Sequence, residues 1–433
     1  MKKPICLLFA IIIALLLTQC GGSGGGGGDG GGTLTPQVSW YVDLVAATSA
    51  TYSAVRHISG GDTDGQRYWI TWAGADENPY VSQFDGTSWS SPKQVGSSPG
   101  TDFHYYPVMI RDSLGTLHVF YGAHNSTLRH SSSSAPNSAE GSWTDSEVSE
   151  ADQATYPMPV VHGGAIYVFY RLSTTTVTER PLVYIKSNNN GVTWEPAREA
   201  INLDRTDNCN EVYAGQAKKI GNSVHFVWTA GGGPGHDVYH RDVFYTRFSL
   251  LNERFYDVLG NDLGPSVNGS EANQCVVVST GNNADQTVDY QLQVSVNRYD
   301  QPVILWRHKP SGVDQLRVTN WNGTVWSTVA LDSEYYINQD IEAVEDSEYG
   351  FRAYSSSGTN PRGVWILEST DNGNSWSSKQ LLKTADSVPC SWWIPLNGVG
   401  NSSRVKAMWV GWTATDSDST TTATRNVYAV GVY

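Results

Sequence analysis

The sequence predicts an all-β protein, a seven-bladed β-propeller, on three observations. A hairpin unit recurs seven times, each with an apolar strand, a polar or glycine turn and an aromatic-rich second strand. Charged residues make up only 16% of the chain, while Trp, Tyr, Gly, Ser, Thr and Val are plentiful, a composition that suits short, twisted strands. No sustained helical period interrupts the pattern.

The units follow in order. The first contains Tyr68-Trp69-Ile70-Thr71-Trp72 and closes at Trp89. The second is HYYPVMIRDSLGTLHVFYGAH (104–124), with its turn at Asp112-Ser113-Leu114-Gly115 and its close at Gly141-Ser142-Trp143. The third is TYPMPVVHGGAIYVFYR (155–171), closing at SNNNGVTW (187–194). The fourth spans 211–228 and closes on Phe255 and Tyr256; the fifth spans 290–306 and closes at WNGTVW (321–326). The sixth surrounds Ile341–Tyr354 and closes at STDNGNSW (369–376); the seventh spans 392–412. The leftover VSWYVDL (38–44) supplies the last blade's outer strand and closes the ring. SNNNGVTW and STDNGNSW resemble the Asp-box of sialidase-like propellers, a folding turn whose Trp packs between strands.

Ahead of the propeller (37–433) lie two other segments. Residues 1–19 read as a signal peptide, with a basic start and an apolar run from Ile5 to Leu17 too short to span a membrane comfortably. Cys20-Gly21 resembles a bacterial lipobox, although Gln19 is unusual before such a cysteine. Residues 20–36 form a glycine-rich tether behind that lipidated Cys20. The expected location is the outer membrane or cell surface, held there by the lipid anchor alone, or otherwise the secreted fraction. A net charge of −14 argues against nucleic-acid binding. Three cysteines, Cys209, Cys275 and Cys390, follow the leader, too odd a number for a complete disulfide framework.

Blade register places candidate chemistry on one rim. His104 starts the inner strand of the second blade and His124 lies just past the end of its second strand. Tyr156 takes the His104 position in the third blade, and Arg171 ends that blade's second strand. Tyr213 starts the fourth blade and Tyr290 the fifth, where Arg307 ends the second strand. Singly, each has an ordinary structural reading, and His118, His162 and His225 are read as structural histidines. Together, two histidines, tyrosines and an arginine with no carboxylate among them suit elimination better than hydrolysis, which wants paired acids. Asp102 stands near His104, but alone. Elimination from a uronic acid needs a cation on its carboxylate and groups that move protons, which Arg171, Tyr and His supply.

The segments HYYP, FYGAHN, TYP with VFYR, and NEVYAG resemble the propeller ulvan lyases of polysaccharide lyase families 24 and 25. The spacings His104–His124 (20), Tyr156–Arg171 (15) and Tyr156–Tyr213 (57) match family 25 most closely. The resemblance implies a lyase cleaving ulvan, an acidic sulfated rhamnose–uronic acid polysaccharide, to give unsaturated uronyl ends. It makes His104, His124, Tyr156 and Arg171 catalytic and Tyr213 a further site residue; with Tyr213, Tyr290 and Arg307 are the expected substrate-binding residues. A sialidase-like hydrolase and a noncatalytic glycan-binding propeller are the alternatives. Cys209, His236, Cys275 and His308, with His240 as substitute, fall in connections of blades four and five and have zinc-ligand chemistry. The resemblance adds that such lyases carry a structural metal near the canyon. The chemistry itself calls for no cofactor.

Overall fold

The computed structural model describes residues 43–44, 61–64, 67–74, 76–85, 88–102, 104–173, 179–281, 286–288, 292–310, 315–332, 336–343, 347–357, 363–384, 390–394, 405–412 and 425–431. Cys20 and Tyr290 lie outside them.

Seven antiparallel sheets follow one another along the chain, as the hairpin period predicts. Most neighbouring strands in a sheet are successive and antiparallel, with exceptions such as His124–Ser126, which joins the inner strand of the following blade. The last sheet takes its outer strand from the other end of the chain: Asp43 pairs with Ala429 and Leu44 with Tyr428. This closes the ring through Asp43–Leu44, and a closed ring needs no exposed terminal blade.

The apolar clusters lie between blades. Phe120, Ile166, Val168 and Tyr170 join blades two and three, and Phe169, Phe226, Trp228 and Phe248 join blades three and four. Burial of both faces explains why the second strands read as near-continuous apolar runs. The two Asp-box turns are folding devices here. In the first, Ser187 Oγ accepts the Gly191 N–H at 2.8 Å and Asn189 Oδ1 the Thr193 N–H at 2.9 Å. Ser369 and Asp371 do the same for Gly373 and Ser375 in the second, both at 2.9 Å. Gly191 has φ +78°, and a Cβ there would stand 2.6 Å from the His130 ring. Trp194 then packs edge-on against Phe120 and His130.

His118 and His225 are buried structural side chains. His118 bridges Asp112 and His130, and His225 bonds the Tyr245 hydroxyl at 2.8 Å. His162 is half-buried at its strand end. Burial, helped by the charge of His118, lowers His130 to about 3. Burial, helped by Arg247, also lowers His225 to about 3. Both folded values lie below the unfolded value of about 6.5, so the unfolded chain binds more protons on acidification. Their full stability is therefore present above pH ~6.5 and is lost as pH falls toward 3. By pH 5 each costs about 2 kcal/mol. The unfolding temperature should drop by several degrees between pH 7.5 and 5, and an unchanged or rising value would contradict these assignments.

Candidate active site

The site begins at Asp102, two residues before His104. Its Oδ1 accepts the His104 backbone N–H and faces the His104 ring Nδ1, both at 2.8 Å, an Asx turn that fixes the ring. Its Oδ2 faces His124 Nδ1 at 2.6 Å. The imidazoles stack with centroids 3.7 Å apart and planes 26° from parallel. The backbone N–H of Asp102 donates to the Glu77 carboxylate, which anchors the loop.

His124 opens the short strand His124–Ser126, which leaves its own blade and pairs with the inner strand of blade three, His124 opposite Thr155. This seam carries the histidine pair toward Tyr156. The inner strand bulges between Thr155 and Met158. Tyr156 sits in the bulge at φ +61°, a left-handed conformation costing a non-glycine residue about 1–3 kcal/mol. Its ring lies 5.9 Å from that of His104.

Arg171 pairs with Thr155 across the same strand edge. Its Cζ stands 4.8 Å from the Tyr156 ring centroid and 4.4 Å from that of Tyr213, which blade four supplies on the strand Glu211–Ala214. The guanidinium is thus held between two phenol faces. Its Nε donates to Ser173 Oγ at 3.3 Å. Among the described residues, Nη1 has no hydrogen-bond partner and no carboxylate forms an ion pair with the group. Glu211, on the Tyr213 strand, is held by Arg180 at 3.2 Å and His236 at 2.8 Å. Behind Tyr213, His240 approaches to 4.5 Å between ring centroids and bonds Asp237 Oδ1 at 2.7 Å.

The structure therefore brings His104, His124, Tyr156, Arg171 and Tyr213 into one connected cluster across blades two to four. Two features differ from the sequence reading. First, the cluster contains a carboxylate: Asp102 stands at its centre, not alone. The Asp-x-His spacing was the signal for it. Second, Arg171 lies beneath the rim, 2% exposed, because Tyr213 from the next blade covers it. Arg307 is buried in the strand Pro302–Pro310 of blade five, two blades from Arg171.

Electrostatics follow from this packing. Burial works to raise the Asp102 carboxyl, but bonds from both histidines outweigh it and hold it well below the usual carboxylate range. Burial lowers His104, with the charges of His124 and Arg171 adding and Asp102 opposing. Burial pushes the Tyr213 phenol far up, so it remains a neutral donor, and its hydroxyl bonds Asp237. Burial disfavours the Arg171 charge, but the oxygens of Tyr156 and Tyr213 reverse the balance and raise it. The cluster thus holds the Arg171 cation beneath the protonated phenol of Tyr213.

The zinc set does not assemble. Among the described residues, the His, Cys, Asp and Glu side chains whose ligand atoms converge within 4.8 Å are Asp102, His104 and His124. Cys209 and Cys275 are free, buried thiols, turned toward the carbonyls of Asp207 and Glu271. Burial raises them to about 11 and about 12. His236 and His240 are engaged by Glu211 and Asp237, and His308 packs on Trp306. These residues do not fit a shared metal ion.

The family model of BNR repeat-containing family members matches residues 66–333, more than half of the chain. The chain is 24% identical to an ulvan lyase of polysaccharide lyase family 25 from Pseudoalteromonas sp. (strain PLSV), over 74% of this chain and 72% of that protein. It is 26% identical to an ulvan lyase from Alteromonas sp. (strain LOR), over 54% and 55%. A solved family 25 ulvan lyase bound to a glucuronate–sulfated rhamnose unit superposes with a TM-score of 0.72 at 19% identity, covering 90% of this chain and 96% of that one. The polysaccharide lyase Uly1 superposes at 0.63, with 11% identity and coverage of 92% and 98%. The chain belongs to the BNR repeat-containing family.

Proposed function

We propose that this protein is a polysaccharide lyase that cleaves ulvan by β-elimination at the 4-position of its uronic acid. The observation that carries the reading is the buried guanidinium of Arg171, whose Nη1 has no hydrogen-bond partner and which forms no carboxylate ion pair among the described residues. A buried cation with an unused N–H is costly unless an anion completes it, and a uronate carboxylate matches it in charge and fork geometry. The curated relatives with matching sequences are named ulvan lyases.

In the proposed reaction, the C5–H bond breaks and its proton passes to a base of the cluster. The electron pair forms the C4=C5 double bond, the C4–O4 bond breaks, and O4 takes a proton from the acid. Arg171 stabilises the negative charge that builds on the carboxylate as C5 loses its proton. Tyr156 and one of the histidines supply base and acid. In the same reading the enzyme is exported and held at the cell surface through Cys20.

Mature protein incubated with ulvan should generate ultraviolet absorbance from the new double bond, in step with new chain ends. Free sugar released without unsaturation would favour a hydrolase, and binding without any product a glycan-binding propeller; either overturns the lyase reading.

A further inference from the structure

Both carboxylate oxygens of Asp102 are used on the two histidines. An ionised carboxylate accepts hydrogen bonds and donates none. Two ring nitrogens at 2.8 and 2.6 Å from it must therefore each carry a proton. The consequence for a neutral imidazole is fixed: with Nδ1 protonated, Nε2 carries the lone pair.

We infer that Asp102 is a positioning residue that locks His104 and His124 together in the Nδ1–H tautomer, presenting Nε2 of both rings as the acceptor nitrogens of the site. This rests on the lyase reading for its catalytic consequence, but not for the tautomers themselves.

Three further observations agree. The bond to Oδ1 is backed by the His104 backbone N–H at 2.8 Å, so the carboxylate cannot rotate away without losing the Asx turn. Glu77 grips the Asp102 backbone from the other side. The rings stack at 3.7 Å between centroids beside the Arg171 charge. Two imidazolium cations at that separation repel strongly, whereas two neutral rings sharing one anion do not.

Asp102→Asn is the discriminating substitution. The amide keeps the shape but offers one acceptor oxygen and one donor nitrogen. It can satisfy one Nδ1–H; the other histidine must turn its Nδ1 into an acceptor and carry its proton on Nε2. The carboxylate is partly exposed, so the fold should tolerate the change.

The test is long-range proton–nitrogen correlation NMR on histidine-labelled protein near neutral pH, with signals assigned by His104→Gln and His124→Gln. The wild type should show both rings as Nδ1–H tautomers, and Asp102→Asn should move one ring to Nε2–H. Turnover of ulvan by Asp102→Asn should fall by roughly 100-fold or more, with an unfolding temperature close to wild type. Either histidine found as Nε2–H in the wild type overturns the inference. So does an Asp102→Asn protein with both tautomers unchanged or with full turnover. Should the wild type fail to cleave ulvan, the function reading falls, and the NMR result still decides the tautomers.

Discussion

Tyr156→Phe should lower turnover on ulvan by roughly 10²–10⁴ while leaving KM within about twofold of wild type. The substitution deletes one oxygen from a ring whose packing is otherwise kept: the face over Arg171 and the edge toward His104 both remain. What is lost is a proton-transfer group used only as the C5–H and C4–O4 bonds break, so the effect belongs in kcat. The strained φ of +61° sits in the bulge between Thr155 and Met158, which the variant retains. Steady-state kinetics by ultraviolet absorbance decide the point. Normal turnover would remove Tyr156 from the chemistry even if the lyase reading stood.

Arg171→Ala should damage both parameters, with kcat/KM down by at least about 10²–10³, because the guanidinium serves ground-state and developing charge alike. Stability should respond differently. An Arg171 N–H left without a partner is costly to bury, so Arg171→Met, close in volume, should keep an unfolding temperature near wild type. Activity lost while stability is kept or gained would mark Arg171 as held for function. A large fall in unfolding temperature for Arg171→Met would contradict that.

Much of this was legible in the sequence. Alternation and turn chemistry located the strands, and the leftover 38–44 segment had to pair somewhere, which the Asp43–Ala429 register satisfies. Blade register alone also put His104, His124, Tyr156, Arg171 and Tyr213 on one rim, because side chains at strand ends inherit their place from the period. What register cannot give is side-chain orientation. Asp102 becomes central only because two rings 20 residues apart in sequence both turn toward it. Arg171 is buried only because the next blade lays Tyr213 across it. The strain at Tyr156 depends on a bulge that alternation does not announce. The zinc set failed for the same reason. Cys209, His236, Cys275 and His308 share a neighbourhood of the chain, but convergence on one ion needs ligand atoms within a few ångströms of one another, which these do not show among the described residues.

The central claim is that the Arg171 cation acts by quenching a uronate's charge. The rate penalty of Arg171→Ala, measured on native ulvan and on ulvan with methyl-esterified carboxyls, tests it most directly. Esterification neutralises the substrate itself, so the penalty should shrink markedly on the ester. An equal penalty on both substrates would show that Arg171 does something other than neutralise the carboxylate, and the account would fail.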